Sequence, residues 1–200
     1  MSLLDLARMP PLSPVLDGGE VRLRAPSFDD YSAWAALREE SRRHLTAWEP
    51  DWSDEEVTAK AFRMRVKAYR REMRRGNALP FFIVRHSDNT LIGGVTLTNI
   101  RLGASRSASI GYWVGAAFVR QGYARAAIAA MLRHAFGTME LNRIEAACQP
   151  ENIASRTLLE RLGFQNEGVA RDYLFINGAW RDHLLYALTA ADFESPTLRG

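Results

Sequence analysis

The sequence predicts an α/β (α+β) fold, built as one mixed, mostly antiparallel sheet of seven strands flanked by about four helices. Short apolar runs with a period of two alternate with longer segments of helical period. Three consecutive strand-like runs, broken by polar turn residues, read as an antiparallel meander. Near the C-terminal end, Asn177-Gly178 lies between two further runs and signals a tight hairpin.

Residues 1–19 contain Pro10, Pro11, Pro14, Gly18 and Gly19 and read as a flexible arm, which leaves 20–194 as a single domain. Val21, Leu23 and Ala25 alternate with Arg22 and Arg24 and predict the first strand. A short helix is expected around Phe28–Arg38. Ser53 and Glu56 have capping-box spacing, and Phe62, Val66, Tyr69 and Met73 follow at helical spacing, so one long helix is expected from Ser53 to Gly76. Acids at its start and Arg70, Arg71, Arg74 and Arg75 at its end suit the helix dipole. The meander strands are Phe81–Arg85, Leu91–Leu97 and Ala108–Val114. A second long helix is expected from Gln121–Gly122 to Gly137, with Ile128, Leu132 and Phe136 on one face. Arg143–Cys148 reads as a short strand, and Asn152 as the cap of a helix that Gly163 ends. Phe164–Ile176 and Trp180–Leu188 form the closing hairpin.

A chain of 200 residues fits one domain. A hydrophobic fraction of 47% with 24% charged residues excludes a disordered chain. The one cysteine, Cys148, excludes an internal disulfide or a zinc cluster and reads as a core residue on its strand. No apolar run approaches the ~20 residues of a membrane span, and no secretory leader is visible, so the cytoplasm is expected and a membrane partner is not. A net charge of +3 permits an acidic partner without requiring one.

Two stretches carry chemistry. Ile110-Gly111-Tyr112-Trp113-Val114 runs through a small-residue turn into Arg120-Gln121-Gly122-Tyr123-Ala124-Arg125 at a helix start. Backbone N–H groups there lack intrahelical acceptors and carry partial positive charge, which suits a pyrophosphate. The same segment also reads as an ordinary strand-to-helix turn. Downstream, Gln149–Arg156 leads a second helix, with Asn152 as a cap or an amide-binding group and Ser155 in the first turn. His44, His86, His134 and His183 show no metal-ligand spacing, and no metal is expected. His183 reads as a surface or structural histidine, and Tyr112 and Tyr173 as packing aromatics. The basic face of the 53–75 helix, with Arg63, Lys67, Arg70 and Arg74, reads as a solvated face, or as a surface drawn to ribosomal RNA or an acidic protein.

Taken together, Ile110–Val114, Gly122-Tyr123-Ala124, Asn142–Glu145, Pro150–Ser155, Leu162-Gly163-Phe164, Glu167-Gly168 and Trp180-Arg181-Asp182-His183 form an ordered series. The chain resembles the GNAT-superfamily N-acetyltransferases, and among them the ribosomal-protein N-terminal alanine acetyltransferases of the RimJ/RimL type. The resemblance spans about residues 20–193. It implies a sheet split by a V-shaped opening that holds pantetheine, with acetyl-CoA as cosubstrate. It implies acetyl-CoA contacts at Trp113, Val114, Arg120, Gln121, Gly122, Tyr123, Ala124, Arg125, Asn152, Ser155 and Arg156. Acceptor contacts are implied at His44, Trp48 and Tyr112. A backbone N–H near Val114 would meet the oxyanion, and Ser155 would meet the leaving thiolate.

Two positions depart from the family pattern. Val119 stands where Gln or Arg is usual, followed by Arg120 where Gly is frequent, so the cradle relies on backbone N–H groups and Arg120. Ser109 stands where many relatives carry a glutamate base. The base is therefore open among Asp172, Glu145 and water with backbone groups. The acceptor is open between a ribosomal protein's N-terminal amine and a small amine such as a polyamine, amino acid or aminoglycoside. A non-catalytic acyl-CoA-binding or ribosome-assembly protein is the reading from another class. Ribosome association, and a monomer or homodimer, are expected.

Overall fold

The structure is a computed structural model and describes residues 14–194. Its eight strands are β1 (Leu16–Asp17), β2 (Val21–Arg24), β3 (Leu79–Arg85), β4 (Leu91–Arg101), β5 (Ser107–Val114), β6 (Arg143–Cys148), β7 (Gln165–Ile176) and β8 (Ala179–Thr189). They form one sheet in the order β1-β2-β3-β4-β5-β6-β8-β7. Every pair is antiparallel except β5 with β6. The helices are α1 (Tyr31–Glu40), α2 (Arg42–Leu45), α3 (Ala59–Arg75), α4 (Tyr123–Arg133), α5 (Ile153–Arg161) and α6 (Ala190–Glu194).

The α/β class and the meander agree with the sequence; three details do not. The eighth strand comes from the segment read as an arm. Leu16 and Asp17 pair with Leu23 and Arg22 because Asp17 Oδ1 accepts the Gly19 N–H at 2.8 Å and Gly18 donates to Val21 at 2.8 Å, closing a tight turn. Residues 1–13 of that arm lie outside the described residues. The long helix expected from Ser53 is two pieces. The Ser53–Glu56 capping box is present but starts only a 3-10 turn at Asp54–Val57, and Thr58, extended at ψ 158°, caps α3 by accepting the Ala61 N–H at 3.3 Å. The helix expected to reach Gly137 ends as α4 at Arg133 and widens into a π-turn over His134–Thr138.

The sheet has a core on each face. On one face, Ile128, Met131 and Leu132 of α4 and Leu159 of α5 pack on Val95, Ile110, Ile144 and Leu188. On the other, Trp34 and Leu37 of α1 and Phe62 and Val66 of α3 pack on Phe82 and Val84. Burial of these apolar surfaces drives the three-layer arrangement. Between β5 and β6 the sheet opens. The two strands pair only at Ser107–Ser109 with Arg143–Glu145. Beyond that point β5 stays with β4 as far as Val114 opposite Gly93, and β6 stays with β8 as far as Cys148 opposite Leu184. Each strand follows its outer antiparallel neighbour, and the parallel seam separates.

Candidate functional site

A cavity of about 190 Å³ fills this opening. Side chains alternate across a strand, and both faces of the sheet contribute to the wall. Ile110, Tyr112, Ala146 and Cys148 belong to the face that carries α4 and α5. Gly111, Ala147 and His183 come from the opposite face, where Trp48 of the α2–α3 loop joins them. The cavity therefore pierces the sheet.

On the α5 side, the Tyr112 and Ser155 hydroxyls are 2.7 Å apart. Burial pushes the Tyr112 phenol up to about 12, so it stays protonated, and either hydroxyl can donate to the other. When Tyr112 is the donor, the Ser155 proton is available to a group in the cavity. Asn152 caps α5 by accepting the Ser155 N–H at 3.0 Å, so both readings of this residue meet: it caps, and it lines the cavity. Burial also pushes the Cys148 thiol up, which fits a core residue better than a nucleophile. Arg156 donates to the Pro150 carbonyl at 3.0 Å and braces the start of α5.

The turn before α4 continues this side. Val119 is extended at ψ 152°, Arg120 takes φ 59° and Gly122 takes φ 82°. The first N–H with a helical acceptor is that of Ala126, bonded to the Gly122 carbonyl at 3.0 Å. The N–H groups of residues 120–125 have no acceptor among the described residues. Such a run of amides forms an anion-binding concavity. A Cβ built on Gly122 meets nothing within 4 Å, so the space in front of the turn is open. Arg120, Gln121 and Arg125 are exposed around it, with Gln121 donating to the Ala117 carbonyl at 2.8 Å. Tyr123 packs edge-on against Phe118, and Ala124 adds no bulk. The turn is anchored from the other face of the sheet, where buried Ser41 accepts the Ala116 N–H at 2.9 Å.

On the acceptor side, Gln149 donates to the Trp48 carbonyl at 3.4 Å. The Trp48 loop is held further by Asn177 at the β7–β8 turn, which donates to the Thr46 carbonyl at 2.7 Å and accepts from the Asp51 N–H at 2.7 Å. Arg38 stacks 3.8 Å over Trp52 and pairs with Glu49 at 2.6 Å. Trp113 packs on the α1–α3 face beneath Arg38, and Val114 ends β5 opposite Gly93. His44 is half-buried and does not line the cavity. Asp172 sits at φ 49° in a bulge of β7, exposed, with its N–H bonded to Asp182 and its side chain outside the cavity wall. Glu145 lies beside the closed end of the seam, paired with Arg143 at 3.0 Å and Arg101 at 3.9 Å. The structure thus brings Ser155, Tyr112, Asn152 and Trp48 to one cavity and leaves Asp172, Glu145 and His44 off its wall.

The sequence reading missed His183, Gln149, Ser41 and the side chain of Asn177. His183 is buried and lines the cavity. Strand alternation marks which face it takes, but not that this face meets an opening.

A family model described as the acetyltransferase (GNAT) domain matches residues 20–165. The chain is 33% identical over 174 residues to the ribosomal protein uS5-alanine N-acetyltransferase of Escherichia coli, covering 86% of this chain and 90% of that protein. It is 32% identical over 180 residues to the probable N-acetyltransferase YjcK of Bacillus subtilis, covering 90% and 99%. Among solved structures, RimJ of Mycobacterium smegmatis in complex with CoA-disulfide superposes with a TM-score of 0.85 at 38% identity, covering 94% of this chain and 91% of that one.

Proposed function

This chain belongs to the acetyltransferase (GNAT) family and is an acetyl-CoA-dependent N-acetyltransferase, and from that premise we propose that its acceptor is the N-terminal α-amine of a ribosomal protein. The observation that carries this reading is the composition of the cavity. Among the described residues its wall holds no carboxylate, and small or apolar residues (Gly111, Ala146, Ala147 and Leu174) surround the reacting space. A polyamine or aminoglycoside brings several cations, which need acidic partners when desolvated. A polypeptide N-terminus brings one amine and a small side chain. Apolar surface on the His183 side, where Leu174 lines the cavity and the Tyr173 ring lies 5.3 Å from His183, suits the chain that follows. The similarity to the uS5-alanine acetyltransferase supports the same class of acceptor.

In this reading the free N–H groups of residues 120–125 hold the pyrophosphate of acetyl-CoA, with Arg120 and Arg125 adding charge. Trp113 and Val114 offer backbone groups along the open edge of β5, and Asn152 offers its amide nitrogen to the pantetheine arm. Ser155 donates to the sulfur as the C–S bond breaks, and Tyr112 supports it. Trp48 covers the acceptor. The test is acetyl-CoA turnover with an alanine-initiated ribosomal-protein peptide against spermidine and an aminoglycoside. The peptide is expected to be favoured in kcat/KM; preference for either small amine overturns the acceptor assignment.

A further inference from the structure

We infer that His183 is the general base that takes the acceptor's proton. This rests on the acetyltransferase chemistry above and goes beyond the residues that the resemblance suggested. Register places it. Leu184 is opposite Cys148 and packs on the α4–α5 core, so His183 takes the other face of β8, the one that carries Gly111, Ala147 and Trp48. Ser155 and Tyr112 stand on the α5 side of the same opening. A proton acceptor and a proton donor thus face one reaction space from opposite sides of the sheet, which is the arrangement that attack on a thioester between them requires.

The ring is also oriented. His183 Nδ1 lies 3.1 Å from the Arg181 carbonyl oxygen. A carbonyl only accepts, so Nδ1 carries the hydrogen and the neutral ring keeps its lone pair on Nε2. The Tyr173 ring lies 5.3 Å away and closes one side. The other titratable groups of the cavity are Tyr112 and Cys148, both pushed up by burial and so uncharged. The charged neighbours along the strands are Arg181 and Asp182 on β8 and Arg171 and Asp172 on β7, where Asp182 accepts the Asp172 N–H. No carboxylate bonds the imidazole among the described residues. An imidazole held with its Nε2 lone pair free has the chemistry of a general base.

The ammonium acceptor loses two protons on becoming an amide. Nε2 takes the first, freeing the lone pair that forms the N–C bond, and passes it to solvent. It takes the second as the tetrahedral adduct collapses and the C–S bond breaks, and passes that one to solvent too, which restores the neutral ring. The thiolate receives the Ser155 proton, and Ser155 recovers one from solvent. The balance is one acetyl group moved and one proton released.

The test compares wild type, His183→Gln, His183→Ala and Asp172→Asn in pH–rate profiles with an alanine-initiated peptide and, in parallel, with spermidine. Melting temperature and acetyl-CoA affinity by calorimetry accompany each variant. Both His183 variants are expected to keep acetyl-CoA affinity and lose about 10²–10⁴-fold in kcat. The acid limb should disappear in both, and added imidazole should restore part of the rate in His183→Ala. The glutamine variant serves where alanine does not fold. Folded His183 variants with an unchanged rate and acid limb overturn the inference, as does loss of that limb in Asp172→Asn alone. Wild-type turnover of spermidine without peptide removes the acceptor assignment, and His183 is then read on spermidine by the same criteria. No turnover of either amine overturns both.

Discussion

Tyr112 and Ser155 show what one hydroxyl pair can contribute. A buried phenol pushed up to about 12 keeps its proton throughout the working range. Ser155→Ala is expected to lower kcat by on the order of 10²-fold with unchanged acetyl-CoA affinity, because the bond to sulfur strengthens only as thiolate charge develops. Tyr112→Phe removes the supporting bond, worth about 1 kcal/mol, and should cost roughly five-fold. Steady-state kinetics beside calorimetric titration separate the two effects. A second residue, His134, reports on stability. Its Nε2 is buried with no hydrogen-bond partner among the described residues, and burial pushes the imidazole down from its ordinary value. The unfolded chain then takes up the proton first as pH falls. Stability is present above the unfolded value of about 6.5 and declines below it. His134→Leu should give a shallower fall in melting temperature between about pH 7 and pH 5; an equally steep fall would assign the acid sensitivity elsewhere. The place of Ser155 beside the opening was legible in the sequence because the ordered motif that holds it is local. The place of His183 was not, because it lines an opening between strands distant in sequence.

At the scale of elements, the turn ahead of α4 shows how backbone conformation makes a site. Gly122 at φ 82° is accessible to glycine and, at lower cost than other residues, to asparagine. Gly122→Asn is expected to weaken acetyl-CoA binding modestly. Gly122→Asp, of the same size and with a negative charge, should weaken it by more than ten-fold through repulsion of the phosphates. Equal affinities for the two variants in a calorimetric titration would remove the pyrophosphate from this turn. The same scale shows where periodicity misleads. The face Phe62, Val66 and Met73 is buried as its spacing predicts, yet the helix begins at Ala59 and not at the capping box. Two capping signals, Ser53 and Thr58, compete for one helix start, and both are satisfied when a 3-10 turn precedes the helix. The π-turn after α4 has no comparable local signal. It accompanies the packing of Phe136 on Phe193, centroids 5.1 Å apart, a contact across 57 positions of sequence.

Across the whole molecule, strand order followed from the sequence wherever neighbours in sequence are neighbours in space, as in the β3–β4–β5 meander. The insertion of β8 between β6 and β7 depends on long-range pairing, such as Cys148 with Leu184, and no local pattern announces it. The perforation of the sheet depends on that same pairing. Because the cavity is lined from both faces, the proposed sites for acetyl-CoA and for the acceptor meet it from opposite sides of the sheet. That arrangement lets both bind together, and burial holds the Cys148 thiol uncharged, so this thiol is not poised to store the acetyl group between visits. Double-reciprocal plots at several fixed peptide concentrations should therefore intersect, and CoA should be released only when both substrates are present. Parallel lines, or a burst of CoA from acetyl-CoA alone, would mean that the protein carries the acetyl group itself.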